Sequence, residues 1–346
     1  MNNSGRRALD IALAAEARGM YAKLLTAEDK QRIAQARSTT EFLTLLQRSG
    51  AWRDAALMLQ SGEQSDASFA EAVDRCVYSD FARLYRFAND MSRQFLTFIT
   101  LDAELEAIMK AIRRVASPPP EGAKEPEPLP RALRDLPGGG IDKLARAKSF
   151  EDIVSAVAGT IYAKPLAALE RDEKTGLPAL SDTVTALEAR FFDALAGFVR
   201  SGYTGPAKKE LTEAVVFRAD LLNVTYLMRL RRFNTPPERL GSLLLPLRGA
   251  LTEQTQRRVL AAGSDGEAYA LLRSTRLGKY LPEGCGEGVE SAVRAAQKSY
   301  FRKVLHGPLN LAAVYAFLTL KNIEGDMLRR VFTALSYGLD PADYMD

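Results

Sequence analysis

Histidine occurs once in this chain, as His306, so the side chain most often used to move protons near neutral pH is almost missing. One imidazole cannot assemble the usual zinc site or a two-histidine, one-carboxylate iron site. His306 stands before Gly307 and Pro308 at an expected helix end, where capping the last carbonyls is the favoured role. The two cysteines, Cys76 and Cys285, cannot supply a disulfide framework or a thiolate metal site, which points to a reducing, cytoplasmic compartment. Long apolar runs are lacking as well. The longest, PLNLAAVYAFLTL at 308–320, falls short of the ~20 residues that a spanning helix needs. Arg6 and Arg7 precede an apolar stretch, but Asp10, Glu16 and Arg18 interrupt it, so an amphipathic helix is expected there and not an export signal. The 47 basic residues nearly cancel the 43 acidic ones, and no block of like charge stands out. Nucleic acid is therefore not an expected partner. Phosphate loops fail too: Gly278-Lys279 is followed by Tyr280, and the glycines at 284, 286 and 288 follow Pro282 and no apolar strand. There is no G-x-S-x-G elbow. These absences leave no catalytic residue, metal, cofactor or small-molecule substrate to expect.

What is present is an ordinary globular composition, 47% hydrophobic and 26% charged, with almost no period-two alternation. An all-α chain follows, and within it a phrase repeats about every 110 residues. ARSTTEFLTLLQRSGAW (36–52), AKSFEDIVSAVAGTIY (147–162) and AGSDGEAYALLRSTRL (262–277) each begin like a helix. Ser38, Ser149 and Ser264 suit the N-cap, and Glu41, Asp152 and Glu267, three residues on, suit the return bond of a capping box. Apolar pairs follow (Leu45-Leu46, Ala156-Val157, Leu271-Leu272), then a small residue (Ser49, Thr160, Thr275), then a bulky one (Trp52, Tyr162, Leu277).

Two more elements recur in the same order. LDAELEAIMKAIRR (101–114), RADLLNVTYLMRLRR (218–232) and LKNIEGDMLRRVF (320–332) carry an early acid: Asp102, Asp220 and Glu324. In the first two, Leu101, Leu105, Ile108, Ile112 and Phe217, Leu221, Val224, Met228 form one stripe at helical spacing. Aromatic-rich helical stretches lie between, at 80–98, 187–202 and 295–307. We therefore expect three similar helical domains, 1–116, 141–248 and 249–346, related by pseudo-threefold symmetry. Residues 117–140, rich in proline and ending in a triple glycine, read as a surface connection.

Arginine pairs sit at comparable places. Arg113 and Arg114 follow Asp102 at the offset by which Arg231 and Arg232 follow Asp220, whereas Arg329 and Arg330 lie closer to Glu324. Cations near helix C-termini complement the helix dipole, and that suffices to explain them. They are also the candidate contacts to an acidic partner.

The repeats carry a resemblance. AEARGMYAKLLTAED (15–29) is similar to the opening helix of the C/d subunit of V-type and archaeal-type rotary ATPases. Tyr315, Leu318, Leu320, Lys321, Glu324, Leu328, Arg329, Val331 and then Tyr337-Gly338-Leu339 resemble that family's closing motif. Asp220-x-x-Asn223 resembles its acid-x-x-Asn element, from which the chain departs at the equivalent Leu105 and Met327. The resemblance spans 7–346 and rests on helix patterns. It implies a non-catalytic stalk subunit of three helical domains arranged as a funnel. Its partners would be the central-shaft subunits and the membrane proteolipid ring, with membrane contact only through the ring, at the cytoplasmic face. The alternative is a soluble helical-repeat scaffold that binds cytosolic partners.

Overall fold

A computed structural model describes residues 3–60, 64–118, 141–233, 235–236, 240–247, 249–285 and 288–345. Among them there is no strand, only an isolated bridge between Arg171 and Pro178, so the chain is all-α as its periodicity required. Most of the expected connection, 119–140, lies outside the described residues.

The chain divides into two compact units: Met1–Ser92 with Tyr280–Pro282 and Gly286–Asp346, and Arg93–Lys279 with Glu283–Cys285. The first holds α1 (Asn3–Tyr21), α2 (Ala27–Ala34), α3 (Thr39–Leu46), α4 (Arg53–Gln60) and α5 (Asp66–Phe87). The division falls near the start of α6 (Asp90–Ala116). The second unit continues with α7 (Ile141–Arg146), α8 (Phe150–Ala156), α9 (Ala163–Ala167), α10 (Leu180–Gly202) and α11 (Gly205–Arg232). It closes with α12 (Leu240–Leu243), α13 (Glu253–Leu260), α14 (Asp265–Arg273) and a 3-10 turn at Arg276–Lys279. The chain then returns to the first unit through α15 (Val289–Leu305), α16 (Leu311–Ser336) and a 3-10 turn at Pro341–Tyr344.

In the first unit, α16 packs against α1, α5 and α15. Residues 311–321 are all buried, the mark of a helix enclosed on every side. Its far end completes an aromatic core. The rings of Phe69 and Phe332 stack with centroids 4.4 Å apart, and Phe42 meets both edge-on. Gly325 lets this helix approach closely: a Cβ there would lie 3.0 Å from Val73 and 3.2 Å from the Trp52 ring. In the second unit α10 packs on α11, whose stripe residues Phe217, Leu221, Val224 and Met228 are buried.

The repeated phrase has a repeated local structure. Ser38, Ser149 and Ser264 are N-caps whose hydroxyls accept the N–H of Glu41, Asp152 and Glu267 at 3.2, 3.1 and 3.1 Å. All three acids return a bond to the backbone at or just before the N-cap. Asp152 reaches the N–H of Ser149 itself at 3.0 Å, completing the box. Asp152 also accepts the Lys148 N–H at 2.9 Å, and at the same position Glu41 and Glu267 accept from Arg37 and Gly263 at 2.9 and 2.7 Å. Beyond the helix, Ser49, Thr160 and Thr275 each accept the N–H two residues on, at 3.3, 3.2 and 3.2 Å. These turns aim Trp52, Tyr162 and Leu277 inward, each at most 2% exposed.

One expectation is corrected. The aromatic stretch 80–98 is not continuous. α5 stops at Phe87, Ala88 is extended, and Asn89 caps the next helix by accepting the Ser92 N–H at 3.0 Å. His306 is the C-cap of α15 as expected, through its backbone N–H to the carbonyls of Arg302 and Val304, and Arg18 of α1 adds guanidinium bonds to the carbonyls of Leu305 (2.7 Å) and Gly307. The His306 ring lies exposed and edge-on to Tyr21.

Candidate partner-facing sites

Most of the arginines singled out by their spacing are engaged within the chain. Arg114 donates to the Leu144 carbonyl at 2.5 Å. Arg231 donates to the Ala262 carbonyl at 3.0 Å and pairs with Asp265, which Arg232 also meets at 3.0 Å. These bonds tie the C-terminus of α11 to the start of α14. Arg329 pairs with Asp326 at 2.5 Å and with Asp74 of α5. Arg330 also interacts within the chain, and Arg113 is exposed at the last turn of α6.

The acids of the long helices hold neighbouring chain in place. Glu324, 5% exposed, accepts the Leu25 N–H at 2.9 Å and the Trp52 indole N–H at 2.8 Å on one oxygen, and meets Lys30 at 2.8 Å on the other. Asp220 accepts the Ala250 N–H at 2.6 Å. Burial pushes its carboxyl up to about 6, an effect that the bonds from Ala250 and Leu251 oppose. Leu25 precedes Thr26, the N-cap of α2, and Leu251 precedes Thr252, the N-cap of α13. So both acids receive the backbone just ahead of a capping threonine. Asp102 instead pairs with Arg218 at 2.6 Å, beside the Leu101 carbonyl that accepts from the Tyr162 hydroxyl at 2.8 Å. Asn223 exchanges two bonds with Leu245, donating to its carbonyl (3.1 Å) and accepting its N–H (2.8 Å). Neither Leu105 nor Met327 could make that exchange.

Lys321, fully buried, meets Asp80 at 3.0 Å and the Ala51 carbonyl at 2.9 Å, 3.7 Å above the Trp52 ring. Its position in the closing motif is thereby a packing role.

Sequence reasoning missed a cleft in the first unit. A cavity of about 300 Å³ opens over Glu324 and Lys30, with Leu24, Ile323 and Met327 among its apolar walls. Lys298 and Arg302 border it, and also border an adjoining hollow of about 480 Å³. The cations come from helices some 270 residues apart, so no local pattern could have joined them. Among the described residues no group of histidine, cysteine, aspartate and glutamate is placed to hold a metal ion, and no helix is long and apolar enough to cross a membrane.

Comparison with known proteins supplies the class to which this helical chain belongs. The family model of the ATP synthase (C/AC39) subunit matches residues 13–346, so the chain belongs to that family. It is similar to the C subunit of the A-type ATP synthase of Thermococcus kodakarensis, 24% identical over 94% of this chain and 87% of the relative. The corresponding protein of Archaeoglobus fulgidus is 25% identical over 77% and 76%. That of Pyrococcus abyssi is 23% identical over 94% and 86%.

Proposed function

We propose that this chain is the central-stalk subunit that couples the shaft to the membrane rotor ring of an ion-translocating rotary ATPase, without an active site of its own. The observation that carries the reading is a family match running almost end to end, to relatives named as the C subunit of A-type ATP synthases. On this reading the chain sits at the cytoplasmic face of the membrane and reaches the bilayer only through the ring.

Its architecture in this reading is three descendants of one ancestral helical unit, 1–116, 141–248 and 249–346, around a pseudo-threefold axis and joined by the 117–140 connection. The three alike caps, the three alike hydroxyl turns and the two acids that clamp a segment ahead of a capping threonine support it. The mechanical logic follows. A shaft tip and a many-membered ring differ in symmetry, so an adapter must offer several contacts away from the axis, where they resist torque at a radius. Close-packed helices deform little under such a load. Each contact would bury about 1,200 Å² or more. Arg113, Arg114, Arg231, Arg232, Arg329 and Arg330 are proposed as contributors. Of these, Arg113 at the end of α6 and Arg232 at the end of α11 are exposed.

Purification of the membrane ATPase from the source cells is the test. The chain should travel with shaft and ring subunits in stoichiometric amount. Recovery of the assembled enzyme without it would overturn the reading, and a stable complex free of ATPase subunits would establish the scaffold alternative.

A further inference from the structure

We propose that Glu104 of α6 and Glu188 of α10 form a proton-held latch inside the second unit: a proton on each keeps α6 closed on α10 and α11, and loss of those protons opens it. The inference goes beyond the stalk reading and does not depend on it. Three long helices meet at this place. Phe98 of α6 lies against Phe191 and Phe198 of α10, with ring centroids 6.3 and 5.4 Å apart. Asp102 ties α6 to α11 through Arg218 at 2.6 Å. Tyr162, just ahead of α9, donates to the Leu101 carbonyl of α6 at 2.8 Å. Within this junction Glu104 is 1% exposed, and among the described residues neither of its oxygens has a hydrogen-bond partner. Half-buried Glu188 accepts a bond from the Tyr226 hydroxyl of α11.

Among the described residues, the charged and titratable groups facing the two acids are Asp102 on α6, Tyr162 ahead of α9, and Arg218 and Tyr226 on α11, with Arg229 acting on Tyr226. Burial raises the Tyr162 hydroxyl most; Asp102, Glu104 and Glu188 add to the effect through space, and Arg218 opposes them. Arg218 is already paired with Asp102 and lies 5.7 Å from the ring centres of both Phe191 and Phe192. It cannot also neutralise Glu104 and Glu188, so each is kept neutral by a proton of its own. Burial accordingly pushes both carboxyls up to about 7, although the Tyr226 bond and Arg218 pull Glu188 the other way. Opening admits water, in which a carboxyl ionises at the ordinary 4.5. Between pH 4.5 and about 7 the open form thus releases protons that the closed form keeps, and opening grows more favourable as pH rises. Above that window the closed form ionises as well and the effect levels off. The latch is tightest in mild acid.

The test is hydrogen–deuterium exchange of the full chain, read by mass spectrometry from pH 5 to 8, with labelling times scaled for the intrinsic pH dependence of amide exchange. Opening at α6 and α10 should increase with pH up to about 7 and then level off. Each carboxyl freed contributes about tenfold for each step of one in pH. Glu104→Gln or Glu188→Gln should therefore make the dependence about tenfold shallower per step, and the two together should abolish it. The same pH dependence in wild type and in the double variant would overturn the latch. So would a dependence that appears equally at α16 of the first unit and disappears there in the variants, because the opening would then be that of the whole chain. Infrared spectra of wild-type chain carrying carbon-13 glutamate give a second arm that needs no substitution. Absorption from protonated glutamate should persist to about pH 7, and its complete loss near the ordinary 4.5 would overturn the proposal. Neither arm uses the ATPase, so its outcome leaves the stalk reading untouched.

Discussion

Glu104 is the group from which the energetics can be read most directly. It lies on α6 in the second unit, 1% exposed, and among the described residues neither of its carboxyl oxygens has a hydrogen-bond partner. Burial alone pushes its carboxyl from the ordinary 4.5 up to about 7. Glu104 therefore stays protonated in the folded chain across a range in which the unfolded chain has already ionised it. The sign follows from proton linkage. Between pH 4.5 and about 7 the folded state holds more protons than the unfolded state, so stability falls as pH rises and levels off above that window. The slope is about 1.4 kcal/mol for each step of one in pH, giving a total of about 3 kcal/mol. Glu104→Gln removes the titration while keeping the shape. Relative to wild type it should gain roughly 2–3 kcal/mol more at pH 8 than at pH 5. That gain corresponds to a thermal midpoint rising by about 2–4 °C per kcal/mol for a unit of this size. Glu188 and Asp220, which burial also raises, titrate in the same window, so the mutant-minus-wild-type difference is the quantity to follow. Scanning calorimetry at half-unit pH intervals supplies it. Parallel curves for the two proteins from pH 5 to 8 would refute the reasoning, because they would mean that Glu104 ionises normally.

Three shorter predictions follow from the same geometry. Glu324→Ala leaves the Leu25 N–H, the Trp52 indole and Lys30 without their shared acceptor, and should cost about 3–5 kcal/mol. Trp52 is the sole tryptophan, so its fluorescence reports the change directly, and unaltered emission with an unaltered melting point would contradict the clamp. Asn223→Leu strands the Leu245 N–H and carbonyl and should cost about 2 kcal/mol or more in urea melts; a neutral result would mean that the loop re-pairs with other groups. Burial pushes the Cys76 thiol up to about 11, so an aromatic disulfide reagent at pH 8 should label half-buried Cys285 first and Cys76 only after unfolding. Equal native rates at the two thiols would be inconsistent with the packing around Cys76.

The helix starts were legible because capping is local chemistry. Ser38, Ser149 and Ser264 announce themselves by the acid three residues on, and a side chain that bonds within its own turn needs no distant partner. The burial of Trp52, Tyr162 and Leu277 was equally local, since a hydroxyl two or three residues earlier folds the turn that points each inward. The break at Ala88-Asn89 was concealed by an unbroken run of aromatic and apolar residues. Asn89, three residues before Ser92, was the signal that could have revealed it. The arginine pairs stand in the last turns of α6 and α11, as their spacing suggested, but their partners could not be read locally. Their shared offset from Asp102 and Asp220 was real, but the carboxylate that occupies Arg231 and Arg232 is Asp265, more than thirty residues away.

The sequence by itself determined that this protein is helical, that three of its helices begin with alike caps, and that it holds one histidine and two cysteines, because periodicity and caps act over a few residues. Only the tertiary structure decided that Glu324 clamps Leu25 and Trp52, that Arg18 closes the helix ending at Leu305, and that Lys30 faces Lys298 and Arg302 across one cleft. Each of those arrangements joins residues nearly three hundred positions apart. Burial and charge pairing act through space, and the order of residues along the chain carries no measure of that distance.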